Sequence, residues 1–273
     1  MTTFDQRERS LAEGAPLRLY QFARGSMAWR YNSSARDVTH QTFTFSSVAG
    51  GITDDGIRQT GETTPDELTL TAPAGLDVAQ LYRVAPPSET VQLTVFSRHD
   101  GADDWLVSWT GDVRAVKWPA LDRCQIICAP MSARMEMTGL RLTWDRACPH
   151  ALYSAACGVS AALWRVAALL SSLDGATLTV PEAANYPDGY FTAGIVEWAT
   201  AGGVLERRGI EQHASVSLTL IGGTAGIPPG TALSLYPGCR QTTAGCRQFG
   251  NLLNFGGIPH LAGTSPFNGN NPF

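Results

Sequence analysis

The chain has 273 residues, a formal net charge of −4 and 16% charged residues, against about 25% in an average soluble chain. That length buries one large or two small cores, and the scatter of Lys and Arg excludes phosphate tracking or sequence-specific reading of nucleic acid, which needs clustered cations. The longest apolar run, residues 159–170, is broken by Arg165 and falls short of the roughly 20 residues that span a bilayer.

Residues 3–13 predict a short helix that Thr2 or Thr3 caps, with Gly14 ending it and Pro16 beyond. Its charges stand where an export signal has its apolar core, so no export is expected. The six cysteines are then read in a reducing compartment, as thiols or metal ligands rather than disulfides. From residue 17 the pattern alternates with period two. Strands are predicted over 17–22, 41–45, 67–71, 90–96, 105–109 and 124–128, separated by turn clusters such as Asp54-Asp55-Gly56 and His99-Asp100-Gly101. A helix near 76–84 interrupts them.

The second half repeats the style. Residues 163–170 and 176–180 flank Leu173-Asp174-Gly175, an Asp-Gly hairpin turn that tolerates positive φ. Residues 190–198 and 204–210 flank Thr200-Ala201-Gly202-Gly203, and 216–221 is a further strand. Many short strands with regular turns make the fold class mainly β, as barrels or sandwiches. From Gly222 onward the chain is rich in Gly, Pro and Asn, with Phe249, Phe255, Phe267 and Phe273 and little periodicity. The organisation expected is a β domain over 1–132, a second over 133–222 and a loop-rich C-terminal segment over 223–273. A chain with so few charges also suggests an exterior partly covered by other subunits.

Two cysteine pairs carry the strongest chemistry. Cys148 and Cys157 are spaced C-x8-C, Cys239 and Cys246 C-x6-C, each pair in a loop-like stretch. Four thiolates suit tetrahedral zinc or an iron–sulfur cluster equally. The spacing chooses neither, since paired zinc cysteines usually stand two to four residues apart and ferredoxin runs are tighter. Four unrelated buried thiols also fit. Cys124 and Cys128 sit four apart on a strand, face the same way and read as small core residues. His40, His99, His213 and His260 show no common spacing. Asp54, Asp55, Asp103 and Asp104 read as solvated turn residues rather than an acid–base pair. No phosphate loop, nucleophile elbow or zinc-protease helix is present in the sequence, so catalysis is not expected.

The Cys148-Pro-His150-Ala-Leu-Tyr-Ser-Ala-Ala-Cys157-Gly158 stretch, the Cys239–Cys246 pair and Asn251-Leu-Leu-Asn-Phe-Gly-Gly-Ile-Pro-His260-Leu-Ala-Gly263 resemble the lambda minor tail protein L family. They also resemble related hub proteins of siphophages and gene transfer agents, over residues 148–263. The resemblance implies that Cys148, Cys157, Cys239 and Cys246 ligate a 4Fe–4S cluster that staples the second β domain, with zinc as the alternative. His150 is then a second-shell donor or a packed loop histidine, and Gly158 and Gly245 let backbone approach the core. It further implies two tube-like β-barrel domains with a C-terminal iron–sulfur lobe. Three chains would form a homotrimeric ring at the tail tip of a virion assembled in the host cytoplasm. Its partners would be a distal tail protein, a central fibre or receptor-binding hub protein and a tape-measure protein. An iron–sulfur electron-transfer protein and a zinc-stabilised β module are the readings from other classes.

Overall fold

The structure, a computed structural model, describes residues 16–58, 66–99, 105–136, 139, 142, 144–200, 202–224 and 227–261. The helix predicted over 3–13, Asp103 and Asp104 lie outside them. The chain divides into two compact units, Met1–Met137 with Ala201–Val204, and Thr138–Thr200 with Leu205–Phe273. Segment 223–273 therefore falls within the second unit. Both units are mainly β. Among the described residues no helix is long and apolar enough to cross a membrane.

In the first unit the strands are β1 (Pro16–Arg24), β2 (Met27–Asn32), β3 (Val38–His40), β4 (Phe43–Ser47), β5 (Thr53–Asp54), β6 (Leu68–Pro73), β7 (Gln92–His99), β8 (Leu106–Lys117) and β9 (Arg123–Pro130). They form one sheet in the order β3-β4-β2-β1-β7-β8-β9-β6-β5. The alternation in sequence does what it predicts, and one strand shows the physics well. In β1, Leu17 and Leu19 join a small cluster with Val38 and Phe45, whereas Tyr20 and Phe22 join the main core. The side-chain period of two makes the switch possible, so β1 has both faces covered. In β9, Cys124, Ile126 and Cys128 lie opposite Ala72, Leu70 and Leu68 of β6, all buried, as small apolar residues should.

Two local readings change. The helix expected near 76–84 is only a turn, α1 (Asp77–Gln80), with no side-chain cap at Leu76. Asp54 is not a solvated turn residue. It lies in β5 with its side chain 6% exposed, accepts from the Tyr20 hydroxyl at 2.6 Å and pairs with Arg18 at 3.1 Å. A short edge strand needs such a tie, because two residues of ladder pairing hold little by themselves.

The second unit contains β10 (Val166–Leu169), β11 (Ser172–Asp174), β12 (Thr177–Thr179), β13 (Ile195–Ala199), β14 (Leu205–Ala214), β15 (Ser217–Leu220) and β16 (Ala232–Tyr236). Their order is β10-β16-β13-β14-β15-β12-β11. The Asp-Gly turn is where the sequence puts it, with Gly175 at φ 55°, but it joins β11 to β12. Residues 166–169 pair instead with β16. The C-terminal segment thus contributes a strand between β10 and β13. Leu233, Ser234 and Leu235 are buried in succession, and a strand covered on both faces shows no alternation. A helical turn and a half, α2 (Thr243–Gln248), follows.

Candidate metal centre

The end of β16 and the loop at 145–158 meet in the second unit, and the contact is built from the backbone outward. The Cys148 N–H donates to Gln241 O at 2.8 Å, which lays the two cysteine segments side by side. Tyr153 adopts φ 67° and donates its hydroxyl to Pro237 O at 2.9 Å. Ser154 then closes a turn: its Oγ accepts from Cys157 N at 3.3 Å and its carbonyl from Gly158 N at 2.9 Å. On the other side Thr242 caps α2, its Oγ1 accepting from Gly245 N at 3.1 Å. An N-cap of this type fixes the first turn and so the position of Cys246.

These turns bring all four predicted cysteines to one cavity. Cys148, Cys157, Cys239 and Cys246 line it together with His150, Leu152, Val159 and Phe249. Phe249 packs edge-on against Trp164 at 4.7 Å and Tyr153 at 6.4 Å, so that side of the wall is apolar, while Thr242, Asn251 and Asn254 add polar groups. Every thiol is free. Cys157 and Cys246 are buried, and Cys148 and Cys239 are half-buried. Cys124 and Cys128 belong to the first unit's core and have no part here. Of the histidines, only His150 lines the cavity. His213 packs on Phe191 at 5.1 Å, and His40 packs among Phe45, Phe96 and Trp105.

Each sulfur has a hydrogen-bond partner. Gly256 N donates to Cys148 Sγ at 3.4 Å, Gln241 N to Cys239 Sγ at 3.4 Å, and Asn251 Nδ2 to Cys157 Sγ at 3.6 Å. Cys246 Sγ donates to Asn251 O at 3.0 Å. Burial pushes the Cys246 thiol up, and the thiols of Cys239, Cys148 and Cys157 add to the shift. Four soft donors gathered in one pocket with N–H groups aimed at sulfur fit a sulfur-ligated metal group, since that donor set both accepts soft metals and tunes them. The cavity is about 10 Å³, room for roughly one water.

The glycine pair Gly256-Gly257 explains how the last segment comes so near. A Cβ on Gly256 would overlap His150 Nε2, and one on Gly257 would lie 2.6 Å from Ala147 O. Ile258 N then donates to Asp145 O at 2.8 Å. Gly256→Ala is expected to cost about 1–3 kcal/mol, read as a lower unfolding temperature. His150→Ala in the same chain should restore much of that loss, and no recovery in the double variant refutes the close approach. The resemblance pointed to this stretch through its glycines. It gave no role to Asn251, Gln241 or Tyr153, because a backbone donor or an amide that reaches a sulfur has no spacing to read.

What fold and site define together is a two-unit, mainly β chain with a four-thiol pocket at the C-terminal end of its second sheet. Comparison with known proteins gives this class a context. Residues 189–265 match a protein family described as phage conserved hypothetical protein BR0599. A protein of Xylella fastidiosa (strain 9a5c), described as uncharacterized, is 25% identical over 187 residues, which cover 63% of this chain and 38% of that protein. The chain thus spans well under half the length of that relative. Among solved structures, a chain described as part of the virion of a native gene transfer agent particle shares the fold with a TM-score of 0.74 and 18% identity, over 97% of this chain and 94% of that one.

Proposed function

We propose that this chain is a structural protein of a phage-type virion, serving as the hub of the tail tip. The observation that carries this reading is the fold shared along 97% of the chain with a gene transfer agent virion protein, and the phage family matched over 189–265 supports it. Each unit is one of the two tube-like β-barrel domains that the resemblance implies. Three chains form a ring of six such units, which lets a trimer meet a sixfold tail tube. A distal tail protein lies on one side, a central fibre or receptor-binding hub protein on the other, and a tape-measure protein in the lumen. A low density of charge suits a surface largely covered by neighbours. Its role is assembly rather than catalysis.

The four thiols hold a 4Fe–4S cluster whose role is structural. Four thiols on one cavity, with N–H groups aimed at three of them, support a sulfur-ligated group, and the resemblance of the two cysteine stretches to tail-tip hub proteins favours a cluster over zinc. The test is electron microscopy of virions or purified tails, together with iron and acid-labile sulfide analysis of anaerobically purified chain. Density for the chain as a ring at the tail tip is expected, and its absence there ends the hub reading. Colourless protein carrying one zinc ends the cluster reading alone.

A further inference from the structure

Two of the four sulfur contacts in the pocket come from backbone N–H groups, and these persist whatever side chain is present. Gly256 N–H and Gln241 N–H donate to Cys148 and Cys239, whereas the Cys246 S–H donates to the Asn251 carbonyl, a contact that ends when Cys246 ligates as a thiolate. The contact to Cys157 differs, because it comes from the carboxamide of Asn251. That one residue reaches both buried thiols. Its Nδ2 lies 2.6 Å from Cys157 O and 3.6 Å from Cys157 Sγ. Its main chain accepts from Cys246 Sγ at 3.0 Å and donates from N to Cys246 O at 3.1 Å.

The orientation of that carboxamide is fixed by a second one. Asn254 Nδ2 donates to Asn251 Oδ1 at 2.7 Å, which assigns the oxygen of Asn251 to Asn254 and turns its NH2 group towards Cys157. Asn254 is in turn held against Gly158, where a Cβ would stand 3.1 Å from Asn254 Nδ2. Gly158 follows Cys157 directly. The relay therefore closes on itself, from Cys157 through Asn251 and Asn254 back to the glycine beside the ligand.

We infer that Asn251, held by Asn254, is a positioning residue of the pocket: its carboxamide orients Cys157 as a ligand and supplies the side-chain N–H that tunes the Cys157 sulfur. This rests on the cluster reading above. A donor to a ligating sulfur offsets the negative charge gained on reduction, so it raises the reduction potential as well as aiding retention. A residue that merely fills space does neither.

The experiment uses the full-length chain purified without oxygen, in wild type, Asn251→Leu, Asn251→Gln and Asn254→Leu forms. Two quantities are measured: the rate at which a ferrous chelator removes iron, and the reduction potential of the loaded fraction by spectroelectrochemistry. Asn251→Leu is expected to lose iron roughly 10–100-fold faster, the range seen when outer-shell partners are removed, and to shift the potential to more negative values. Asn254→Leu should move both in the same direction by less, and Asn251→Gln should recover part of each. A potential at the wild-type value in Asn251→Leu, with only loading reduced, makes the residue structural and overturns the proposal. Should Asn251→Leu fail to fold, Asn254→Leu decides by the same criterion. Wild-type chain that holds no iron or sulfide overturns the cluster reading and this proposal with it, whereas loaded wild type with unaffected variants overturns this proposal alone.

Discussion

With the proposed cluster in place, Cys148→Ser and Cys239→Ser are each expected to abolish nearly all iron binding and leave the C-terminal part of the second unit poorly folded. A serine hydroxyl is harder than a thiolate and stays protonated near neutral pH, so it does not replace the sulfur ligand. The loss reaches beyond one bond, because these two cysteines anchor opposite segments that touch through the Cys148 N–H and Gln241 O. Where ligands come together only in the folded chain, the free energy of metal binding is also folding free energy. Cys128→Ser is the control. Cys128 is fully buried opposite Leu68, and a hydroxyl there costs about 1–3 kcal/mol while leaving iron content unchanged. Iron and sulfide per chain, with limited proteolysis of the 223–273 segment, read the difference. Full iron content in both Cys148→Ser and Cys239→Ser means that the ligand set is wrong.

Gly238→Ala should be the most destabilising of the small substitutions. Gly238 stands between β16 and Cys239, and a Cβ there would overlap Thr192 O and come within 2.6 Å of Ala193 C and Gly194 N. These are backbone atoms in a stretch tied by Gly194 N to Phe191 O and by Ile210 N to Gly194 O, so they cannot swing aside as a flexible side chain can. Gly194 mirrors the contact, with no room for a Cβ against Tyr236 O. The two glycines let β16 and the start of β13 approach so that Cys239 enters the pocket. Overpacking against main chain should cost about 3 kcal/mol or more. In a unit of this size that is roughly 6–12 °C of unfolding temperature. Gly175→Ala gives the comparison: it meets nothing within 4 Å, so only its positive φ is penalised, at about 1–2 kcal/mol. Equal melting of the two variants would falsify the close approach.

Much of this architecture was legible because strands with one buried face announce themselves. β6, β7 and β9 all carry the expected alternation. The same rule explains what was hidden. In β16 three consecutive residues are buried, so the strand looked like part of a loop-rich tail. At Asp174-Gly175 the turn was legible but its partners were not, since a turn specifies the residues that flank it and says nothing of which distant strand takes the next segment. Asp54 read as solvated because its partners, Tyr20 and Arg18, lie far from it in sequence. For the pocket, the four cysteines could be picked out from the surrounding motif. The groups that orient them, a carboxamide and two backbone N–H groups, depend on turns that only the fold closes.

The place of β16 has a further consequence, for the time course of folding. Among the described residues it is the last strand in sequence, yet it is the sole neighbour of β10 in the sheet and the link from β10 to β13. Nothing can pair with β10 until the chain has been made through Tyr236, and this non-local pairing carries a loop-closure cost that local hairpins avoid. The hairpins β11–β12 and β14–β15 are free to form early. The β10–β16 seam, with Cys239 three residues beyond it, comes late. The four thiols therefore stay apart until that seam has closed, and protection of the β16 amides from hydrogen exchange should appear with the same rate as the pocket itself.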